Sequence, residues 1–463
     1  MKGISHMVHQ YKLNGYNIII DSESGCIHTV DDVAYDIISM YENSTKDSIV
    51  SSISEKHDVT REDIEDVIAD IETLVKENKL FTKDIFSGQA PDFKKRQSVV
   101  KAICLHVAHA CNMTCEYCFA GKGEYSGEAA IMELETGKRA LDWLIENSGT
   151  RHNLEVDFFG GEPLLNFDVV KELVSYGRSK EKESGKEFRF TLTTNGILLD
   201  DETIDFLNKE MGNVVISLDG RKEINDLMRK TPDGQGTYDK IISPFKKLAD
   251  SRSQQNYYMR GTYTHRNTDF AEDILHMADL GFKEISIEPV VAPPDAPYAL
   301  KEEDIPKLLS EYERLACEMV KRKRKKDKSD FNFYHYMIDL EGGPCIVKRI
   351  SGCGVGTEYV AVTPSGDLYP CHQFVGDEKF LLGNIYDGIV NEQICDEFKG
   401  CNVYSHKECN DCFAKLYCSG GCAANAYHTT GSINGIYELG CQLHRKRIEC
   451  AIMIKVAEMC ENI

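Results

Sequence analysis

The sequence predicts an α/β protein whose largest part is a partial barrel of six parallel strand–helix units. Between about residues 100 and 300, short apolar strand patterns alternate with amphipathic helical patterns, as in parallel sheets with right-handed crossovers. A group of cysteines directly follows the first of these strands, at the carboxyl edge where such sheets place their chemistry. A second group of cysteines begins near residue 345 and indicates a metal-binding tail.

The first 85 residues predict a small winged-helix domain with an antiparallel sheet. The segment YNIII at 16–20 follows the turn residues Asn14 and Gly15 and indicates a strand, with further strand patterns near 8–12 and 26–29. Helical patterns follow near 31–42, 45–56 and 61–79. A polar linker that contains Pro91 and the basic residues 94–96 separates this domain from the barrel.

The barrel is predicted to occupy residues 100–300. Its strand patterns lie at 102–108, 154–159, 188–194, 213–218, 257–263 and 284–289. Helices are predicted between them, for example at 134–147, where Leu134, Leu141 and Leu144 share one side, and at 168–182. A charged helix at 300–328 lies in a bridging segment, 301–344, which leads to the cysteine-rich domain at 345–445. That domain has Gly/Pro turns and little helical pattern until about 440, and a C-terminal helix is predicted over 442–459, within the last unit, 446–463.

Composition and charge exclude several classes of protein. The net charge of -21, from 54 basic and 75 acidic residues, argues against a general nucleic-acid binder. The first twenty residues resemble no export signal, and no apolar run reaches the roughly 18 residues of a membrane helix. Eighteen cysteines in such a chain indicate metal sites rather than disulfides. We therefore expect a cytoplasmic enzyme with no membrane and no nucleic-acid partner.

Three cysteines in the run CNMTCEYCF carry the most specific signal. Cys111, Cys115 and Cys118 have the spacing C-x3-C-x2-C, which supplies three thiolates from one loop. A 4Fe–4S cluster has four irons, so three cysteines leave one iron without a protein ligand. That iron can chelate S-adenosylmethionine (SAM), whose C–S bond an electron then breaks to give a 5′-deoxyadenosyl radical. The alternative is a structural zinc knuckle or three unrelated thiols.

The second barrel strand ends in Gly160, Gly161, Glu162 and Pro163. Two glycines allow the backbone to approach a ligand closely. Glu162 is expected to accept a hydrogen bond from a cationic amino group such as that of the methionine moiety of SAM. The alternative is a plain strand-to-helix turn with a capping acid.

Polar residues at the ends of later strands are further candidates for binding SAM. Asn195, Ser217 and Asp219 are expected to bind ribose hydroxyls, with ordinary turn chemistry as the alternative. Arg260 lies inside the apolar strand YYMRGTY, where a buried arginine needs an anion such as the methionine carboxylate or an internal ion-pair partner. Glu288 is either a rim ligand or a plain acid at the end of its strand.

The tail supplies seven more thiols in a recognisable order. Cys353 is followed by Gly366 and Cys371 in the form G-x4-C, and then by Cys409, Cys412, Cys418, Cys422 and Cys441. Seven thiols are too many for one zinc ion, and two zinc sites would need an eighth ligand, for which Cys345 and His372 are candidates. The spacing instead fits two further iron–sulfur clusters.

With these motifs the chain resembles the radical SAM enzymes that carry a SPASM domain, over nearly all of 100–445. It is most similar to the maturases of SCIFF peptides, through the stretches CNMTCEYCFAGKGEYSGEAAIM, LEVDFFGGEPLLNFDVV, FRFTLTTNG, YYMRGTYTH, FYHYMIDLEGGPC, YPCHQFVG and KLYCSGGCAANAYH. The resemblance implies SAM, three 4Fe–4S clusters, and formation of a thioether between a peptide cysteine and a carbon of an acceptor residue. It also implies that 1–85 is a PqqD-like domain that recognises the precursor's leader.

The resemblance also implies a role for each cysteine group. Cys111, Cys115 and Cys118 would hold the SAM cluster, and the backbone of Phe119 would meet the adenine. The second auxiliary cluster would take Cys409, Cys412, Cys418 and Cys441, and the first would take Cys353, Cys371 and Cys422. The first cluster's fourth ligand is either Cys345, whose spacing is a loose match, or the substrate thiolate at an open iron. The remaining cysteines are expected to be ordinary small apolar residues: Cys26, Cys104, Cys317, Cys395, Cys401, Cys450 and Cys460.

The expected partners are a cysteine-rich precursor peptide, bound through its leader, and a flavodoxin- or ferredoxin-type electron donor. An auxiliary cluster would accept the surplus electron of the cross-linking reaction. Two other hypotheses stay open: a maturase that oxidises Cys or Ser of a sulfatase to formylglycine, and a non-catalytic iron–sulfur or zinc scaffold that only binds a peptide.

Overall fold

The computed structural model describes residues 7–87, 98–121, 123–125, 127, 129–326 and 328–461. These residues form a three-stranded sheet near the N-terminus and a twelve-stranded sheet in the rest of the chain. Pro91 and the basic residues 94–96 of the predicted linker lie outside the described residues. No helix in the described ranges is long and apolar enough to cross a membrane.

The N-terminal unit has the predicted order of three strands and then three helices. Its antiparallel strands are β1 (Val8–Leu13), β2 (Tyr16–Asp21) and β3 (Cys26–Val30), and β2 lies in the middle. The helices are α1 (Asp32–Met40), α2 (Lys46–Lys56) and α3 (Arg61–Lys76). Each helix begins after a side chain that accepts a backbone N–H of its first turn, namely Asp31, Thr45 and Thr60. The assignment of this unit as a peptide-recognition domain stays a prediction.

A parallel sheet forms the predicted partial barrel. Its strands pair in chain order: β4 (Ala102–His109), β6 (Asn153–Gly160), β7 (Glu187–Thr194), β8 (Asn213–Ser217), β9 (Tyr257–Tyr263) and β10 (Glu284–Pro289). The short β5 (Ala130–Ile131) pairs antiparallel with the end of β4. The crossover helices are α4 (Leu134–Asn147), α5 (Phe167–Ser184), α6 (Asp201–Glu210), α7 (Lys222–Met228), α8 (Tyr238–Ser251) and α9 (Phe270–Asp279). The predicted α/β fold with a central parallel sheet is confirmed.

The core lies between the sheet and these helices. Trp143, Phe158, Phe190 and Phe245 are among its largest fully buried side chains. Burial alternates along the strands: in β9, positions 257, 259, 261 and 263 are buried, whereas 258, 260 and 262 are not. Because side chains alternate across a strand, the second set lies on the concave face of the sheet.

The cysteine-rich tail continues the same sheet, which the sequence does not indicate. β11 (Asn332–Phe333) pairs parallel with β10, and β12 (Tyr359–Val362) pairs parallel with β4. β13 (Asp367–Tyr369), β14 (Gly383–Asn384) and β15 (Gly388–Ile389) then add antiparallel strands. The tail also contains helices of four to nine residues, too short to produce a visible helical period: α11 (Ile346–Ser351), α12 (Glu392–Gly400), α13 (Lys415–Cys418) and α14 (Ala423–Thr430).

Two long helices in the C-terminal half of the chain pack against each other. α10 (Ile305–Lys325) lies within the predicted 300–328 segment, and α15 (Glu438–Glu461) includes the predicted C-terminal helix. The basic run at the end of α10 forms ion pairs with α15, where Lys323 contacts Glu458 and Arg324 contacts Glu461. The run is therefore an inter-helix contact as well as a helix end.

The N-terminal unit is docked on the tail and on α15. Tyr11 donates its hydroxyl to the Glu449 carbonyl oxygen over 2.9 Å, and the His9 ring stacks on Phe413 with centroids 3.7 Å apart. The Lys415 side chain, 2% exposed, pairs with Glu23 at 2.6 Å and Asp84 at 2.8 Å. A lysine this deeply buried depends on both acids, so the two parts form one body.

Candidate functional site

The three cysteines of the CNMTCEYCF run lie in a loop that leaves the carboxyl end of β4. Two backbone hydrogen bonds hold this loop to the C-terminal end of α7 and the chain that follows it: Glu116 donates to the Met228 oxygen (2.8 Å) and Thr114 to the Lys230 oxygen (2.7 Å). The thiols lie near one another, since the charges of Cys115 and Cys118 add to the effect of burial on Cys111. Burial raises the pKa of Cys111 to about 12 and that of Cys115 to about 11.

This donor set fits a multi-iron cluster. Thiols with raised pKa values become thiolates only beside a strong positive charge, which a bound metal supplies. Among the described residues, no three His, Cys, Asp or Glu side chains converge as a single metal ion requires. In a cubane cluster each thiolate binds a different iron, which needs a wider spacing. The three thiols of the loop fit such a cluster, and the zinc-knuckle alternative stays open.

The two glycines of the turn formed by residues 160–163, called the GGEP turn, lie against the backbone that leads into the cysteine loop, and their contact with SAM stays a prediction. A Cβ added to Gly160, whose φ is +123°, would lie 2.2 Å from the Ala108 oxygen, and one on Gly161 would lie 2.1 Å from the Ala110 oxygen. Gly161 donates its N–H to Ala108 (2.8 Å). The predicted close backbone approach exists, but its partner is the backbone that leads into Cys111.

Glu162 is likewise held by the protein itself. Its carboxylate accepts backbone N–H groups of Leu164 (3.1 Å) and Asn195 (2.8 Å) and the Thr194 hydroxyl (2.8 Å). It is 1% exposed, and burial raises its pKa to about 7. A carboxylate has about four acceptor positions, so one is left for the predicted amino group. Pro163 opens the short turn that follows.

We expect Glu162→Gln to destabilise the fold by about 1–3 kcal/mol, because an amide NH2 would face either the Asn195 N–H or the Leu164 N–H and leave a buried donor unpaired. Thermal unfolding of the cluster-free protein measures this change. Glu124→Gln, on the same rim, serves as the surface control and should be silent. An unchanged melting temperature in Glu162→Gln would contradict the role of Glu162 in holding the turn.

Two of the three predicted ribose-binding residues are engaged elsewhere. Asn195 donates its Nδ2 hydrogens to Asn112 Oδ1 (2.7 Å) and to Cys111 Sγ (3.7 Å), so it supports the cysteine loop. Asp219 is fully buried, and its carboxylate accepts the Tyr117 hydroxyl and the Thr262 N–H. β8 ends at Ser217, so the strand alternation that placed Asp219 on the same face does not reach it, and its ribose role stays a prediction. Ser217 is half-buried and its ribose role stays a prediction.

Arg260 is exposed on the concave face of β9, so the expectation of a buried arginine is wrong. The apolar neighbours that suggested burial, Tyr257 and Met259, belong to the opposite, helix-covered face. Glu288 forms ion pairs with His335 (3.1 Å) and Arg447 (3.5 Å). His335, Arg447 and Arg260 hold the pKa of Glu288 well below its usual range despite burial. A permanent anion therefore lies at the end of β10.

Aromatic side chains connect the cysteine loop with the tail. The exposed Phe119 ring lies 5.7 Å from His372, the neighbour of Cys371, and 5.9 Å from Tyr125. Buried His106 and His109 contact each other through Nδ1 and Nε2 at 3.1 Å, and both pack on Tyr125. Sequence reasoning missed both histidines, because a lone histidine in a strand has no distinguishing pattern.

The charge effects among the tail cysteines divide them in the way that the two predicted ligand groups require, and their role as cluster ligands stays a prediction. The charges of Cys441, Cys409 and Cys412 add to the burial that raises the pKa of Cys418 to about 12. In the other group, burial raises the pKa of Cys371, and the charges of Cys422 and Cys353 add to this effect.

The fourth position of the first auxiliary group has an unexpected neighbour. Cys345 is exposed at the start of α11. Cys401, expected to be an ordinary apolar residue, instead lies near the first group: besides burial, the charges of Cys353 and Cys422 raise its pKa to about 11. Its thiol donates to the Ile433 oxygen over 3.2 Å.

Family models match both cysteine-bearing parts of the chain. The radical SAM superfamily model matches residues 105–288, and the SPASM model, an iron–sulfur cluster-binding domain, matches 353–413. An uncharacterized protein of Methanocaldococcus jannaschii is 26% identical over 41% of this chain and 62% of its own length, so the match leaves over a third of that relative uncovered. The cysteine-type anaerobic sulfatase-maturating enzyme of Clostridium perfringens is 26% identical over 67% of this chain and 85% of its own length. The Bacillus subtilis subtilosin biosynthesis protein AlbA is 24% identical over 70% of this chain and 68% of its own length.

Solved structures show the same fold. Native anSMEcpe with bound AdoMet superimposes with a TM-score of 0.63 at 21% identity and covers 77% of this chain and 99% of that chain. Streptococcus suis SuiB bound to S-adenosylmethionine gives a TM-score of 0.54 at 17% identity and covers 94% of this chain and 98% of that chain.

Proposed function

This protein is a radical SAM enzyme with a SPASM domain, and we propose that it forms an intramolecular thioether in a ribosomally made precursor peptide. The bond would join a cysteine sulfur of the peptide to a carbon of an acceptor residue. A flavodoxin- or ferredoxin-type protein would supply the electrons.

The observation that carries this proposal is the N-terminal unit. SuiB covers 94% of this chain, whereas anSMEcpe covers 77%. A structure of SuiB with its precursor peptide SuiA also aligns over 94% of the chain. A three-stranded sheet with one edge free can add an extended peptide as a fourth strand. An attached peptide-binding unit favours a ribosomal precursor over the sulfatase alternative.

The chain's residues have distinct tasks in this proposal. When bound, the SAM cluster supplies the electron that cleaves SAM to the radical which abstracts hydrogen from the acceptor carbon. Cys111, Cys115 and Cys118 bind that cluster, and the GGEP turn holds their loop in place. Arg260 and Glu288 give the concave face fixed charges of both signs, which would orient the peptide. The tail's two cysteine groups would hold two auxiliary 4Fe–4S clusters, which makes three in all.

Reconstituted protein with reductant, SAM and a cysteine-rich precursor tests the proposal directly. Thioether formation removes one C–H and one S–H hydrogen, so the peptide should lose the mass of two hydrogens and one alkylatable thiol. A formylglycine product would instead react with a hydrazide, which would favour the sulfatase-type alternative. The scaffold alternative predicts no 5′-deoxyadenosine at all.

The free edge of the N-terminal sheet gives a second test. β1 packs on α15, which leaves β3 as the open edge. Backbone N–H groups of adjacent residues on a strand point in opposite directions. One of the two variants His28→Pro and Thr29→Pro therefore removes an N–H donor that points outward from the free edge of the sheet. We expect that variant to bind the precursor at least about tenfold more weakly, with SAM cleavage unchanged. Affinity for the precursor is measured by fluorescence anisotropy. If both variants bind the precursor as tightly as the wild type, binding at this edge is contradicted.

Deleting residues 1–85 is a poorer test, because it would expose apolar surface and leave Lys415 buried without Glu23 and Asp84. The full chain with point changes avoids this problem.

The first auxiliary cluster is proposed to have three protein ligands, Cys353, Cys371 and Cys422, with its fourth position free for the substrate thiolate. We expect Cys345→Ala to keep the full iron content, since the spacing of Cys345 from Cys353 is only a loose match to the family pattern. Cys401→Ala is the matched comparison, because Cys401 lies beside the group. If either variant loses about one cluster's iron, that thiol closes the cluster, and His372 becomes the first candidate to deprotonate the substrate.

A further inference from the structure

A buried arginine lies beneath the cysteine loop and has no task in the chemistry described so far. Arg229 is 6% exposed and directly follows α7. Its neighbours Met228 and Lys230 supply the two backbone oxygens that accept hydrogen bonds from the loop. The position of the guanidinium relative to the three cysteines is therefore fixed by the backbone.

The guanidinium reaches an acid only through a tyrosine. Arg229 Nη1 donates to the Tyr117 hydroxyl over 3.0 Å, and that hydroxyl donates to the Asp219 carboxylate at 2.9 and 2.8 Å. Tyr117 itself stands between Cys115 and Cys118 in the loop. Among the described residues, no carboxylate forms a direct ion pair with Arg229. The net positive charge of this arginine is thus only partly compensated.

A buried nitrogen of the guanidinium has no partner in the described part of the chain. Arg229 Nε is buried and makes no hydrogen bond within the described residues. Buried N–H groups are nearly always paired, so an acceptor that fits this position is expected. Cys115 lies nearby: after burial, the two strongest charge effects on its thiol come from Arg229 and Asp219, which act in opposite directions. The Cys115 sulfur, or a sulfur atom of a cluster that Cys115 would hold, would supply such an acceptor.

We propose that Arg229 is a positioning residue that donates its Nε–H to the sulfur shell of the SAM cluster and favours the cluster's reduced form, while Asp219 opposes it. The inference rests on the proposed cluster site. Reduction adds one negative charge, and a fixed positive charge in a buried site stabilises the more negative state. Hydrogen bonds to cluster sulfurs act in the same direction.

The test is a redox titration of full-length reconstituted protein at pH 8, followed by the electron paramagnetic resonance signal that shifts when SAM is added. For Arg229→Gln we expect the ratio of reduced to oxidised cluster at a fixed potential to fall about tenfold, which is about 59 mV for a one-electron couple. Arg229→Lys keeps the charge, so its ratio of reduced to oxidised cluster should fall less. Asp219→Asn removes the opposing charge and should raise the ratio.

Opposite signs for the arginine and aspartate variants distinguish this role from general damage to the fold. If Arg229→Gln does not retain the cluster, Arg229→Lys and Asp219→Asn still decide the question. An unshifted ratio in Arg229→Gln, or shifts of one sign in all variants, would overturn the inference. Weaker SAM binding with an unchanged ratio would make Arg229 a SAM ligand instead. If the wild-type protein has no SAM-responsive cluster, the proposed function itself fails.

Discussion

Replacing Cys111, Cys115 and Cys118 together with alanine is expected to remove about a third of the bound iron and to abolish cleavage of SAM to 5′-deoxyadenosine. The three thiols are the protein's whole ligand set for one of three proposed clusters, and the open iron that binds SAM disappears with that cluster. The tail groups, which include Cys371 and Cys418, lie on other elements and should keep their iron. Iron analysis and chromatography of the nucleoside products measure both effects.

A matched control separates loss of ligands from loss of cysteines in general. Cys26, Cys317 and Cys460 belong to neither the loop nor the tail groups, and none of them is fully buried. Their combined replacement with alanine should leave iron content and SAM cleavage unchanged. Wild-type iron content in the first triple variant would show that the loop holds no cluster.

Gly161→Ala is expected to have the second largest effect. Its new methyl group would lie 2.1 Å from the Ala110 oxygen, a backbone atom that cannot rotate away. The chain just before Cys111 must then move, at a cost of roughly 3 kcal/mol or more. We expect loss of the SAM cluster's iron and of SAM cleavage, with the auxiliary clusters retained.

Gly212→Ala is the control for this prediction. Gly212 precedes β8, and an added methyl group would meet only the flexible Arg189 side chain, at 3.0 Å. Its melting temperature and iron content should stay close to those of the wild type. A Gly161→Ala protein that keeps its full iron content would contradict the inference that the GGEP turn positions the loop.

The barrel was predictable because its signals are local. Each strand pattern ends where a turn or a polar residue begins, and the helices between them have one apolar side. The cysteine groups were predictable for the same reason, since their spacing lies within short runs. The roles of Glu162, Asn195 and Asp219 were not, because each depends on a partner from another strand.

Long-range partners also explain the residues that sequence reasoning missed. Arg229 stands in a run of charged residues after α7, and nothing local distinguishes a buried arginine from a solvated one. For Arg260 the error was the opposite one: the sequence predicted a buried arginine, and the structure exposes it. A partial barrel exposes its concave face even where the strand is apolar. Cys401 has no spacing relation to Cys353 or Cys422, and only the fold brings the three together.

The pairing of β4 with β12 has a consequence for how the protein is made. The edge of β4 that pairs with β12 stays unpaired until about 250 further residues have been synthesised, which takes roughly 10 to 50 s. During that interval the edge of a strand that is fully buried in the folded protein is open, and the nascent barrel is vulnerable to pairing with other chains. Slow synthesis at low temperature, or chaperone supply during expression, should therefore raise the yield of correctly folded protein more than any change to the exposed surface.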